Sequence, residues 1–153
     1  MPDTSSPTPK VVRFEAGRRY KTLLAILSGV ALTAAFPPGK VPWLAWVAFI
    51  PLLISLRGEP FRHAFRLSLI AGLAHSSTLV YWVTIVMGKY GNLPFPWSLG
   101  PLLLLCIYLA LFPALFGGLL ALARADWHRP LFAAFLWVAL EYLRSKALTG
   151  FPW

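Results

Sequence analysis

Long apolar segments joined by short connectors constrain this 153-residue chain more than any other feature. Five of them can be recognised, at about 22–36, 42–56, 65–87, 98–123 and 130–149. The third and fourth reach the roughly 20 residues that cross a hydrocarbon core. The first two are shorter, and only "PPGKVP" separates them. We therefore predict an all-α integral membrane protein, a bundle of about five transmembrane helices in which the first two form a hairpin.

The composition supports this class and excludes others. Residues are 58% hydrophobic and 12% charged, too few charges to cover the surface of a soluble domain of this length. The net charge of +9 does not indicate nucleic-acid binding, because the bases lie in short clusters between apolar segments. The first 20 residues, rich in Pro, Ser, Thr and bases, are predicted to be a disordered arm, and 21–153 the transmembrane helical domain.

The distribution of Lys and Arg predicts an orientation. Two of these residues lie in one set of alternate connectors, Lys40 and Lys89. Ten lie in the other set: Lys10, Arg13, Arg18, Arg19, Lys21, Arg57, Arg62, Arg66, Arg124 and Arg129. Since cytoplasmic loops are enriched in Lys and Arg, the N-terminus is predicted to be cytoplasmic and the C-terminus to lie on the opposite face. The first segment is interpreted as a retained helix rather than a signal peptide, because Pro37, Pro38 and a second apolar segment follow at once.

Aromatic residues gather at the predicted outer side of the membrane. Three aromatic-proline motifs lie there, "FPP" at 36–38 and "FPW" at 95–97 and 151–153. They are typical of helix ends with interfacial anchors, and they also fit an aromatic rim around an opening to the outer leaflet. The candidate lipid-facing or substrate-facing residues are Tyr81, Trp82, Phe95, Trp97, Phe151 and Trp153.

The fifth segment contains two opposite charges on one helical face. Trp137, Glu141, Arg144 and Leu148 follow spacings of four, three and four residues. Ionisable groups in membrane helices usually face the bundle interior and pair, so Glu141 and Arg144 are predicted to form an intramembrane ion pair. From spacing alone it is equally a neutralising salt bridge or a charge presented to a lipid phosphate or a partner domain.

Residue patterns for catalysis are missing from the sequence. It has no carboxylate pair, Ser/His/Asp set, phosphate-binding glycine loop or CxxC motif, and no catalytic residue, metal site or cofactor is predicted. His75 has no second ligand at suitable spacing, so a hydrogen-bonded packing role is favoured. Cys106 lies within an apolar segment, where a small buried side chain is expected.

The C-terminal stretch "LWVALEYLRSKALTGFPW" resembles the signature of apolipoprotein N-acyltransferases. "AFPPGKVPWLAWVAFIPLL" resembles the first hairpin of that family, and "YWVTIVMGKYGNLPFP" its third helix and outer loop. The resemblance implies a multi-pass protein of the bacterial inner membrane. It also implies transfer of an acyl chain from a phospholipid to the N-terminal amine of a diacylglyceryl-cysteine lipoprotein.

The resemblance places that chemistry in a nitrilase-like domain with a Cys-Glu-Lys set, which lies after the "TGFPW" motif in the family. None of this set maps onto the present sequence. We therefore expect the N-terminal membrane portion of such an enzyme, inactive alone as a truncated or split chain. The alternative is a non-enzymatic membrane scaffold for a separately encoded catalytic chain. The expected partners are the membrane, phospholipid and lipoprotein substrate, and not nucleic acid.

Overall fold

A computed structural model of the chain describes residues 13–36, 41–92, 94–123 and 129–147. These residues form helices and their connections, without a strand in those ranges, which confirms the predicted all-α class. The helices are α1 (Arg13–Ala34), a 3-10 helix (Pro42–Trp46), α2 (Ile50–Ser55), α3 (Phe61–Leu79), α4 (Trp82–Tyr90), α5 (Phe95–Leu122) and α6 (Arg129–Lys146).

Helix α1 begins earlier than the apolar pattern indicates. The predicted disordered arm was 1–20, but Arg13 to Tyr20 already belong to α1, while residues 1–12 lie outside the described ranges. Glu, Ala, Arg and Lys in "RFEAGRRYK" have high helix propensity, so this polar turn can continue the helix beyond its apolar part. Apolar patterning alone does not detect such an extension.

Two of the predicted segments are divided in the structure. The segment at 42–56 consists of the 3-10 helix and α2, and Pro51 lies in the first turn of α2, where its missing N–H costs nothing. The segment at 65–87 is divided between α3 and α4, which meet at an angle of 43°. Near that break the hydroxyl of Thr78 donates to the carbonyl of Ala74 at 2.7 Å, a contact that often bends helices.

Contacts between helices give their relative directions. Lys21 near the start of α1 bonds to Glu59 before α3, and Thr33 near its end bonds to His75 near the end of α3, so α1 and α3 run in the same direction. Helix α5 runs in the opposite direction, since Gly118 lies against Phe61 and Gly72 against Ala110. The aromatic connectors around Tyr81 and Phe95 therefore lie at one end of the bundle, and the basic connector around Arg57 at the other.

Small residues bring α3 and α5 together closely. A Cβ atom on Gly72 would lie 2.6 Å from Cγ of Pro113 and 3.0 Å from Cα of Ala110. A Cβ atom on Gly117 would lie 2.7 Å from Cβ of Ser68. Membrane helices associate largely through such close backbone packing, because lipid is as apolar as the side chains it would replace. The glycines thus define the frame of the bundle.

The main buried cluster lies toward the basic end. Leu52 and Leu56 from the α2 segment, Leu67 from α3 and Leu120 from α5 form its centre, together with Ala25, Ala64, Ala71, Phe116 and Leu140. All of these are less than 9% exposed. The cluster joins five helices, α1, α2, α3, α5 and α6, so the two predicted hairpin segments pack as part of one core.

Among the described helices, α5 alone is long and apolar enough to cross a membrane by itself. The bent pair of α3 and α4 makes a second candidate if the two together form one span. Helix α1 begins with a basic turn, the α2 segment is interrupted, and α6 contains Glu141, Arg144 and Lys146. The set of five spans, with its boundaries, stays a prediction.

Candidate functional site

A cavity of about 520 Å³, here called the central cavity, lies between α1, α3, α5, α6 and the α2 segment. Apolar side chains form most of its wall, including Leu32, Phe49, Leu79, Leu109 and Trp137. The polar side chains in the wall are Ser28, His75, Ser76, Glu141 and Arg144. An apolar cavity of this size with few convergent polar groups is the usual form of a site for a small ligand.

Helix α6 turns the predicted charged face toward the central cavity. Trp137, Glu141 and Arg144 all line it, which confirms the shared face inferred from their spacing, while Leu148 lies outside the described residues. Nη2 of Arg144 lies 2.6 Å from Oε2 of Glu141. The side chains of Glu141 and Arg144 retain 34% and 26% of their exposure. The ion pair is therefore formed, and it also faces space that a ligand can occupy.

Aromatic contacts hold Trp137, which shares the face of α6 with Glu141 and Arg144. The ring of Trp137 meets the ring of Phe49 edge-on, with centroids 4.5 Å apart, and the ring of Phe116 in the same manner at 5.3 Å. Such edge-to-face pairs add roughly 0.5–1.5 kcal/mol each beyond burial. They fix the rotation of α6, and thereby the direction in which Glu141 and Arg144 point.

A hydrogen-bonded cluster joins α1 and α3 beside the central cavity. Oγ1 of Thr33 lies 2.9 Å from Nδ1 of His75 and 2.7 Å from Oγ1 of Thr78. The ring of Phe36 packs against His75 with centroids 5.8 Å apart. His75 thus has the hydrogen-bonded packing role favoured from the sequence. The contacts of Thr33 were not predicted. The only feature of the sequence that pointed to them was a polar residue near the end of an apolar segment.

The predicted aromatic candidates take positions apart from the central cavity. Tyr81, Trp82, Phe95 and Trp97 are 49–72% exposed, at the α3–α4 break and at the start of α5. None of them is among the cavity-lining residues. Phe151 and Trp153 lie outside the described residues. A lipid-facing role for this group stays a prediction.

Cys106 is buried in α5, in an apolar cluster with Val80 and Leu109. It does not line the central cavity. Within the described ranges, no three His, Cys, Asp or Glu side chains come together as metal ligands do. Among the described residues, the central cavity therefore offers an apolar surface and one ion pair, and Cys106 does not face it.

A comparison with protein families shows to which family the chain belongs. The model of the apolipoprotein N-acyltransferase N-terminal domain matches residues 28–153, which is most of the chain. The chain belongs to this family. The resemblance seen in the "LTGFPW" signature and the first hairpin is thereby confirmed.

Apolipoprotein N-acyltransferases of several bacteria are similar to the chain over nearly all of its length. The relative from Geobacter metallireducens is 43% identical over 141 residues, covering 92% of this chain and 27% of the relative. That from Photobacterium profundum is 33% identical over 145 residues, with 92% and 27% covered. The one from Gloeobacter violaceus is 32% identical over 157 residues, with 92% and 29% covered. The chain thus spans less than a third of the length of these relatives.

Proposed function

We propose that the chain acts as the N-terminal membrane domain of an apolipoprotein N-acyltransferase. In this function an acyl chain passes from a phospholipid to the N-terminal amine of a diacylglyceryl-cysteine lipoprotein. The relatives are named for N-acyl transfer to apolipoprotein, and the chain matches them over 92% of its length. The task we assign to this domain is to hold a lipid substrate; the described residues supply no acyl-transfer chemistry.

The membrane placement that we propose has five crossings of the bacterial inner membrane. The basic end of the bundle, with Lys21 and Arg57, faces the cytoplasm, and the aromatic end, with Tyr81 and Phe95, faces the periplasm. The length and composition of α5 support this placement, as does the separation of basic and aromatic connectors to opposite ends.

The central cavity is the proposed lipid site. Its apolar wall of Leu32, Phe49, Leu79 and Leu109 suits an acyl chain. The ion pair in the same wall suits a headgroup, because a zwitterionic phosphoethanolamine group contains both a phosphate and an ammonium. Arg144 can bond the phosphate with N–H groups beyond the one that faces Glu141, since a guanidinium has five. Glu141 can accept from the ammonium.

The observation that best supports this assignment is that one cavity wall combines apolar residues with a complete ion pair. Charges within a membrane are costly, about 2.5–3.5 kcal/mol at its centre on insertion scales, so each needs a partner. A zwitterionic headgroup can exchange partners with Glu141 and Arg144 without leaving any of the four charges alone. A purely structural pair would need no adjacent cavity.

The test uses a complete apolipoprotein N-acyltransferase containing this domain, assayed with phosphatidylethanolamine and a diacylated lipopeptide. Glu141→Gln is expected to lower kcat/KM roughly tenfold at unchanged abundance, because Arg144 is left without a partner in the lipid-free state and the ammonium loses its acceptor. Lys146→Gln, a change of one charge in the last turn of the same helix, is the matched control and should leave turnover unchanged. Normal turnover of Glu141→Gln would contradict the lipid-binding role of the ion pair.

The present chain alone is expected to transfer no acyl group. Purified and supplied with both substrates, it should give no triacylated lipopeptide in a mass-spectrometric assay. Acyl transfer that disappears with Cys106→Ser would contradict our placement of the chemistry outside the described residues. If the chain alone binds lipid without transferring it, and transfer occurs when a second chain is added, the scaffold alternative is supported instead.

A further inference from the structure

A second cavity, here called the basic cavity, lies at the opposite end of the bundle from the aromatic connectors. It measures about 460 Å³ and is lined by residues of α1, of the α2–α3 connection and of α3. The residues that matter here are Arg18, Lys21, Gly58, Glu59, Pro60 and His63. It shares none of its lining residues with the central cavity.

An ion network closes one side of the basic cavity. Nζ of Lys21 donates to Oε1 of Glu59 at 2.6 Å and to the carbonyl oxygen of Arg57 at 3.2 Å. Nδ1 of His63 lies 3.1 Å from Oε2 of the same Glu59. Both carboxylate oxygens are therefore engaged, and the negative charge of Glu59 is balanced within the protein. Lys21 keeps one N–H for a further acceptor.

The surroundings of this network are strongly basic. Between residues 17 and 66 Glu59 is the only acidic residue in the sequence. The bases at this end of the bundle are Arg18, Arg19, Lys21, Arg57, Arg62 and Arg66, and the five arginines are exposed. Within residues 17–66 this single balanced carboxylate leaves an excess of positive charge at this end, which attracts anions from solution or from a membrane surface.

Backbone groups add to the attraction. Helix α3 begins at Phe61, and the preceding Pro60 lines the basic cavity. The first turn of a helix presents free N–H groups and the positive end of its dipole, which favours phosphate. Gly58, with φ of +71°, forms the turn before α3, and a Cβ atom there would meet nothing within 4 Å. The turn therefore leaves its main chain accessible from the cavity.

We propose that the basic cavity binds the phosphodiester headgroup of an anionic phospholipid in the cytoplasmic leaflet. Arg18 and the remaining N–H of Lys21 bond the phosphate oxygens, and the apolar surfaces of α1 and α3 lie beside the acyl chains. Basic pockets between membrane helices on this side suit such headgroups, and anionic lipids are drawn to basic residues next to the membrane. The inference rests on the proposed membrane placement but is independent of acyl transfer and of the central cavity.

The test measures lipid binding to the purified chain by native mass spectrometry in mild detergent. Phosphatidylglycerol and phosphatidylcholine of identical acyl chains are compared, with inorganic phosphate as a competitor. The chain should bind phosphatidylglycerol at least fivefold more tightly than phosphatidylcholine. Millimolar phosphate should displace little of it, since the acyl chains contribute to binding. Equal affinity for the two lipids, or full displacement by phosphate, would overturn the lipid site.

Charge variants locate the site. Arg18→Gln is expected to weaken phosphatidylglycerol binding roughly fivefold, the effect of one base near an anionic membrane surface. Arg18→Lys should restore most of it. Lys89→Gln removes one exposed charge at the other end of the bundle and should change nothing. Unchanged binding in Arg18→Gln would refute the assignment. If the chain prefers phosphatidylglycerol as expected and the Glu141→Gln enzyme has normal turnover, only the proposed function of the central cavity is contradicted.

Discussion

Helix α3 packs in two contrasting ways on its two sides. Against α5 the backbones approach so closely that a Cβ atom on Gly72 or Gly117 would fall within 3 Å of neighbouring atoms. Toward α6 the same helix borders the central cavity of about 520 Å³, and Gly72 lies where the packed side meets the cavity. Close packing on one side maintains the bundle, so the other side can remain open. The space beside His75 and Ser76 therefore lies next to a closely packed pair of helices.

Two of the ion pairs among the described residues differ in what they connect. Lys21 and Glu59 are 38 positions apart in sequence, and their contact at 2.6 Å ties α1 to the start of α3. Glu141 and Arg144 make a contact of equal length, but they are three residues apart on one helix and connect no two elements. We infer that the first pair stabilises the fold, whereas the second is available to a ligand.

The largest effect is expected from overpacking the α3–α5 interface. Gly117→Val should lower the free energy of unfolding by about 3 kcal/mol, because the new side chain overlaps Ser68 and the α3 backbone. The control is Gly100→Val in the same helix, where a Cβ atom would meet nothing within 4 Å. Thermal unfolding in detergent, followed by tryptophan fluorescence, measures both. Equal stability of the two variants would show that α3 and α5 are not in close contact.

An intermediate effect should separate the two ion pairs. Glu59→Gln is expected to lower the free energy of unfolding by about 1–3 kcal/mol, since charged hydrogen bonds from Lys21 and His63 are lost in a partly buried position. Glu141→Gln removes only an i,i+3 pair and should cost about 0.5 kcal/mol or less. The same unfolding measurement compares them. A larger loss for Glu141→Gln would reverse the distinction drawn above.

The smallest effect concerns a buried hydroxyl. Among the described residues, the hydroxyl of Tyr108 is buried without a hydrogen-bond partner, while its ring packs edge-on against Phe112 at 5.4 Å. Tyr108→Phe keeps this ring contact and removes the unpaired group, so stability should be unchanged or rise by about 1 kcal/mol. Phe112→Leu, which removes the ring contact, is the comparison and should be destabilising. A clear loss of stability in Tyr108→Phe would reveal a partner for the hydroxyl.

The sequence predicted local features of the fold better than contacts between helices. Spacing alone placed Trp137, Glu141 and Arg144 on one face, because helical periodicity is a property of a single element. The break between α3 and α4 lies near the hydroxyl of Thr78, which bonds to the helix backbone and which apolar periodicity does not register. The extension of α1 to Arg13 was not predicted, because its residues are mostly polar and apolar periodicity does not detect them.

The parts of the site that join distant residues could not be predicted. Thr33 meets His75 across 42 positions, and Lys21 meets Glu59 across 38. No pattern within either segment contains that information. One signal was present in retrospect, since Glu59 is the only acid between residues 17 and 66 and lies among bases. The two cavities likewise depend on how the helices pack.

The central claim is that the wall containing Glu141 and Arg144 binds a phospholipid. Native mass spectrometry of the purified chain with phosphatidylethanolamine tests it most directly, with Arg144→Gln compared against Lys146→Gln at equal thermal stability. We predict one tightly retained lipid in the unaltered chain and in Lys146→Gln, and at least a tenfold loss of affinity in Arg144→Gln. Equal retention of the lipid by Arg144→Gln and Lys146→Gln would contradict the claim.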